Sequence, residues 1–344
     1  MKKSLIALAV LAASGAALAQ SSVTLYGRID TSVGSIDTIG AGSDTKLFSG
    51  GDVGLTTPRL GFMGSEDLGG GLKATFKLEQ RFNPDTGNFR GTQAFAGESS
   101  VGLAGAFGAV RLGRMTNPYD DARALSNKFN LFDSNGFTPT NAVFKTGKDA
   151  ADKSFTKNSD YSSRHNGMIR YDSPNFGGVY GAVSHAFEQT PATATAAGKD
   201  DTVTSLLLGY KAGGLNAALS FHDEKTKNEY TALVAAYDFG SFALSGGYNT
   251  RKADLATDGK DNEYSFGVEV PFGAVKLSAG YAASETKVNG AKTSEASGFG
   301  LGAKYALSKR TSLYGGYSKV SEENAVGVKN TDTKIFAVGV RHDF

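Results

Sequence analysis

Cysteine and tryptophan are both missing from the 344 residues, and proline occurs only seven times. Without cysteine there is neither a disulfide framework nor a thiolate metal site. A chain of this size must then be held by an extensive core or by a closed sheet. An excess of charge of one sign is missing too. Once the leader described below is set aside, Lys2 and Lys3 leave the 36 basic residues, and 34 remain against 34 acidic ones. No basic stripe points to nucleic acid, and no acidic block points to a solvating tail. Beyond the leader there is no long apolar run, which excludes transmembrane helices. It does not exclude a transmembrane β-barrel. Barrel strands alternate lipid-facing apolar with lumen-facing polar residues, so they average out as hydrophilic, and the mean hydropathy of this chain is negative.

What the chain has instead is glycine, at 45 residues, together with 14 Tyr and 22 Phe. It opens with Lys2 and Lys3, a short apolar run over Ser4–Ala13 and the small-residue pattern Ala17-Leu18-Ala19. That is the layout of a secretory signal peptide over residues 1–19, too short to span a bilayer. Gln20–Phe344 is then expected to be a single domain.

The rest alternates with period two, the signature of strands wet on one side. In Ser22–Val33 one face carries Val23, Leu25, Gly27, Ile29 and Val33, and the other Thr24, Tyr26, Arg28, Asp30 and Ser32. Such charges would not be accepted by a sealed core. A Gly/Ser/Asp-rich loop is expected over 37–57, strands over Pro58–Glu66 and Leu72–Arg81, and then thirteen more, ending with Asp332–Phe344, sixteen in all. Lys73, Thr75, Lys77, Glu79 and Arg81 share the polar face of the third. Connections alternate between tight turns, such as 105–108 and 272–273, and longer polar loops, expected at 189–201, 252–261, 286–296 and 321–331. Short turns at one rim and long loops at the other is the outer-membrane arrangement. Tyr171, Phe176, Tyr210, Tyr237, Phe239, Phe272, Tyr305, Tyr314 and Phe344 fall toward strand ends, where aromatic girdles sit.

The rhythm breaks once, over Thr116–Ser163. A connection this long is expected to be functional, folded into the lumen to narrow a water-filled channel. Within it Pro118–Leu125 reads as a short helix, with Pro in the first turn and acids near its N-terminus. Asp120, Asp121 and Asp133 are the candidates for an acidic side of the constriction.

No motif for catalysis, phosphate binding or zinc hydrolysis occurs, and the four histidines fall on separate strands. No enzyme activity, cofactor or metal site is expected.

Several stretches carry a family resemblance over the whole mature chain. They are Ser22-Val23-Thr24-Leu25-Tyr26-Gly27, Arg59-Leu60-Gly61-Phe62, Glu66-Asp67-Leu68-Gly69 and Leu112-Gly113-Arg114. Two more are Arg170-Tyr171-Asp172-Ser173-Pro174-Asn175-Phe176-Gly177-Gly178 and Gly339-Val340-Arg341-His342-Asp343-Phe344. With these the chain resembles the general porins of the Gram-negative outer membrane, in their beta-proteobacterial and neisserial branch. The resemblance implies a 16-stranded antiparallel transmembrane β-barrel that forms a homotrimer and whose third extracellular loop, 116–163, folds inward. It implies passive diffusion of ions and small hydrophilic solutes. It also implies contact with outer-membrane lipid and lipopolysaccharide, and assembly by the barrel machinery with Phe344 as part of the terminal signal. The family's basic cluster falls on Arg28, Arg59 and Arg164; strand parity adds Lys77 and Arg81. Ser100 stands where many such porins carry an inward Arg, and the Pro-Glu-Phe-Gly loop signature is absent. Five basic residues against three acids give a weak anion preference. The alternative reading is an outer-membrane adhesin or receptor acting through its loops, which predicts saturable binding and little conductance.

Overall fold

The computed structural model describes residues 22–128, 163–187, 189–190, 199–200, 202–225, 228–253 and 259–344. The expected signal peptide, Asp133 and most of the 116–163 loop lie outside these residues.

Period-two alternation becomes strand nearly everywhere it was expected. The first strands are β1 (Ser22–Thr38), β2 (Gly42–Ser49), β3 (Arg59–Gly69), β4 (Leu72–Arg81), β5 (Glu98–Gly105) and β6 (Gly108–Thr116). Helix α1 (Pro118–Ser126) follows, and then β7 (Arg164–Asp172), β8 (Val179–Ala186) and a small pair, β9 (Gln189–Thr190) and β10 (Lys199–Asp200). The remainder is β11 (Val203–Ala212), β12 (Leu215–Glu224), β13 (Asn228–Asp238), β14 (Ala243–Ala253), β15 (Gly259–Phe272), β16 (Val275–Val288), β17 (Ala291–Ala306), β18 (Thr311–Asn324) and β19 (Lys329–Asp343).

Every barrel pairing is antiparallel, and β1 pairs with β19 from Arg28↔Asp343 to Thr38↔Thr333, which closes the sheet. On its other side β1 meets two partners in succession: β3 along Ser22–Arg28 and β2 along Thr31–Thr38. Seventeen strands therefore fill sixteen positions, with β9 and β10 standing apart.

The two faces are inverted relative to a soluble protein. In β11, Leu206, Leu208 and Tyr210 are exposed, at 47%, 60% and 44%, whereas Ser205 and Leu207 are buried. Leu219, Leu233, Phe266, Leu301 and Val338 continue the exposed apolar band around the barrel. Apolar residues outward and small or polar residues inward is what lipid on one side and water on the other select. Among the described residues no helix is long and apolar enough to cross a membrane, so any crossing is made by strands.

Three expected loops are instead tall hairpins. The expected loop 37–57 contains the end of β1 and all of β2. The expected loop 286–296 shrinks to a two-residue turn at Asn289 and Gly290, with φ of 50° and 79°, the backbone of the tight hairpin turn that Asn-Gly favours. Strands likewise enter the expected loop 321–331 from both sides. Polar strands above the membrane have no lipid face, so their alternation is faint in sequence. Tyr314 also departs from the expected girdle: it is 5% exposed and donates its hydroxyl to Asp30 Oδ1 at 2.5 Å inside the barrel. Phe176, Tyr210, Tyr237, Phe239, Phe272, Tyr305 and Phe344 are exposed on the outer surface.

Candidate functional site

Register, rather than sequence proximity, assembles the site. Arg28 on β1 is the direct cross-strand partner of Arg59 on β3, and Arg59 is the partner of Arg81 on β4. Three guanidinium groups thus form one lateral row on the inner face. Like charges directly opposite one another are destabilising, so the row needs counter-charge. Glu79, two residues below Arg81, supplies it: its carboxylate lies 2.8 Å from Arg81 and 3.7 Å from Arg59, and accepts the Tyr26 hydroxyl at 3.0 Å. Arg28 pairs with Asp343 on β19 at 3.3 Å. Arg59 is further held by Thr56 Oγ1 at 3.1 Å and the Thr57 carbonyl at 3.2 Å.

Asp30 is not a buttress for this row. It is fully buried and accepts the backbone N–H groups of Leu55 and Thr56, at 3.1 and 3.0 Å, along with the Tyr314 hydroxyl. It therefore pins residues 50–57 over the inner face of β1, β18 and β19, where Phe48, Val53 and Leu55 pack with Ile335 and Ala337.

Lys77 is on the same face as Arg81, but its ammonium is 2.7 Å from Glu98 on β5. Glu98 also meets Arg111 at 3.4 Å and accepts the Ser100 hydroxyl at 2.8 Å. Ser100, which stands at an expected arginine position, therefore orients an acid rather than lining the basic wall. Arg164, at the start of β7, donates to the Gly97 carbonyl at 2.8 Å.

Helix α1 forms where the sequence places it. Asn117 caps it, its side chain accepting the Asp120 N–H at 2.8 Å, with Pro118 in the first turn. The helix packs chiefly on β12 and β13, with flanking contacts to β11 and β14. Tyr119 and Ala122 enter a cluster with Leu207, Ala218, Tyr230, Ala232 and Val234, all on the face opposite the exposed apolar band. Small residues make room. At Gly247 a Cβ would come 2.9 Å from Ser126 Cβ, and Ser245 donates to the Ser126 carbonyl at 3.0 Å. Around the barrel β13 is the eighth position from β3, so in a ring of sixteen the helix lies across the lumen from the arginine row.

Asp121 on α1 does not pair with that row. Asp121 pairs instead with Arg170 on β7 at 2.5 Å, and Arg170 also binds Asp172, at 2.6 Å. Although the Asp121 side chain is 44% exposed, the protein crowded around it desolvates its carboxyl and pushes it up from its ordinary value, and the Arg170 guanidinium acts against that. Glu98, Arg111, Arg170 and Arg341 were not among the sequence candidates. Each stands on an inward face by parity, but only the cross-strand register shows which neighbours it meets. Nor are the histidines all scattered: the rings of His165 and His222 lie 5.7 Å apart.

A closed barrel with an inverted surface, a lumenal arginine row and a helix packed on the facing wall is a channel architecture. The profile of the Gram-negative porin family matches residues 5–325. The chain belongs to that family. This porin is 39% identical, over 99% of its length and 95% of the relative's, to outer membrane porin protein 32 of Delftia acidovorans. It is 30% identical to the major outer membrane protein P.IB of Neisseria lactamica over the full length of both. Among solved structures, the anion-selective porin from Comamonas acidovorans superimposes with a TM-score of 0.76 at 32% identity, covering 94% of this chain and all of that one. A Salmonella typhi OmpF complex shares the fold at 16% identity, with a TM-score of 0.66 over 94% of this chain and 97% of that one. The porin is a multi-pass outer-membrane protein that forms a channel.

Proposed function

We propose that the channel passes small hydrophilic solutes and inorganic ions passively and prefers anions. Its constriction lies between the Arg28–Arg59–Arg81 row and the inward elements across the lumen. Lys77 and Arg164 belong to the basic side and Asp120, Asp121 and Asp133 to the acidic side, with the 116–163 loop narrowing the passage. The observation that carries this reading is the row itself. Three guanidinium groups occupy consecutive register positions, and Glu79 is shared between two of them. Fixed charge on low-dielectric walls sets the local ion concentration, and a net positive neck enriches anions. The similarity to an anion-selective porin favours the same sign.

Family membership supports three further parts of the reading: a homotrimer, cleavage after Ala19, and lipopolysaccharide around the long-loop rim. The terminal strand through Phe344 is read by the barrel assembly machinery.

The test is single-channel recording of folded protein in a planar bilayer, with reversal potential under a salt gradient. Openings in steps of three and a potential of the anion-selective sign are expected. A silent bilayer from folded protein would overturn the channel reading, and a cation-selective potential would overturn the role of the row.

A further inference from the structure

Behind α1, on the wall away from the arginine row, three metal-ligating side chains from two distant strands converge. His165 is the second residue of β7, while His222 and Glu224 lie at the end of β12, with β8 and β11 between them. One donor atom from each lies within 4.8 Å of the others, and all three residues are buried. The arginine row has its own counter-charges in Glu79 and Asp343.

We propose that His165, His222 and Glu224 bind a divalent ion of the zinc class. Two imidazole nitrogens and one carboxylate oxygen form the donor set of open tetrahedral zinc sites, with a fourth position left for water. Bonds of about 2.0–2.1 Å put tetrahedral donors roughly 3.4 Å apart, so donors within 4.8 Å of one another need draw together by no more than about 1.4 Å. His222 Nε2 and Glu224 Oε1 are already 3.5 Å apart. The surroundings orient these groups. His222 Nδ1 is hydrogen-bonded to the Ser205 hydroxyl, which turns Nε2 toward the carboxylate. Glu224 Oε2 accepts from Asn228 at 3.4 Å and from the Tyr230 hydroxyl at 3.5 Å. Such outer partners fix ligand orientation in metal sites. Met115, Met168, Ala186 and Val203 form an adjoining apolar cluster, which limits solvent at the site. Imidazole with a single carboxylate favours zinc, copper or nickel over magnesium or calcium, which take all-oxygen shells.

The ion would tie the chain on both sides of the long loop to one wall. His165 lies two residues after the loop, and Tyr119, near its start, stacks on His222 with ring centroids 5.5 Å apart. This site is independent of the sign of ion selectivity and stands or falls separately from it.

The experiment is calorimetric titration of zinc chloride into the folded, detergent-solubilised porin, alongside His165→Gln and Glu224→Gln. Retention of the heat-sensitive electrophoretic form shows that the variants fold. One zinc per chain is expected, with affinity reduced by at least about tenfold in each variant and no displacement by equimolar magnesium. Cobalt in the unaltered protein supplies a readout that needs no variant: tetrahedral visible absorption is expected. Absence of saturable zinc binding, unchanged affinity in both variants, displacement by magnesium, or a hydrated octahedral cobalt spectrum would each overturn the site.

Discussion

Glu79 sets the charge balance of the channel wall. It is buried, and Arg59, Arg81 and the Tyr26 hydroxyl all converge on its carboxylate. Hydrogen bonds to charged groups are worth about 1.5–3 kcal/mol each, and losing the carboxylate exposes two guanidinium groups to each other's repulsion. Glu79→Gln keeps the shape and removes the charge. It should lower the temperature of heat-induced unfolding by an amount worth about 1–3 kcal/mol and, in bilayers, move the reversal potential further toward anions. The converse change, Arg59→Ala, should move the potential toward cations. Lys77→Ala should move it less, because the Lys77 ammonium is already neutralised by Glu98 at 2.7 Å. If Lys77→Ala and Arg59→Ala shift the potential equally, pairing with Glu98 is not what sets the contribution of Lys77.

Along the strands, several glycines are explained by aromatic partners. Tyr26 and Gly61 are direct cross-strand neighbours, and a Cβ at Gly61 would come 2.4 Å from Tyr26 Cζ. The same pairing recurs at Gly209 with Tyr180 and Gly339 with Tyr314. A ring lying over a neighbouring glycine covers backbone and pins register. Gly61→Val should therefore displace the Tyr26 ring from Glu79 and cost about 1–3 kcal/mol as overpacking. The readouts are the heat-induced unfolding temperature and loss of the Tyr26 hydrogen bond; the sign of ion selectivity should stay the same. Much of this level was legible in the sequence. Alternation located the membrane-crossing strands, parity put Arg28, Lys77 and Arg81 on the wet face, and Pro118 with its following acids announced α1. What stayed hidden depends on partners distant in the chain. Gly42–Ser49 is rich in turn-formers and becomes strand because β1 offers it an edge. Tyr314 reads as a girdle ring until Asp30 is seen beneath it. Asp121 finds Arg170, and His165 finds His222, across segments that no local pattern connects.

For the molecule as a whole, selectivity should depend on salt. The Debye length falls from about 10 Å at 0.1 M to about 3 Å at 1 M. Anion preference should accordingly shrink between these concentrations while the conductance rises; a preference independent of salt would place selectivity in steric exclusion rather than in the arginine row. Closure of the barrel makes a second prediction. Gly27 and Phe344 exchange two backbone hydrogen bonds, at 3.1 and 3.0 Å, and the Phe344 ring covers Gly27, where a Cβ would collide with it. Deleting Phe344 should slow refolding into lipid vesicles that contain no assembly machinery. A defect seen only in cells would instead assign Phe344 wholly to recognition. The seam between β1 and β19 also has a temporal meaning. The first strand of the barrel can be completed only by its last. Throughout delivery β1 therefore presents an unpaired edge, the feature most prone to pairing with a stranger. The roughly 290 residues between the end of β1 at Thr38 and the start of β19 at Lys329 make the final docking the slowest kind of contact to find. A cell making this porin must keep each chain isolated until its last strand arrives, so the rate of that single event limits how many chains can safely be in transit at once.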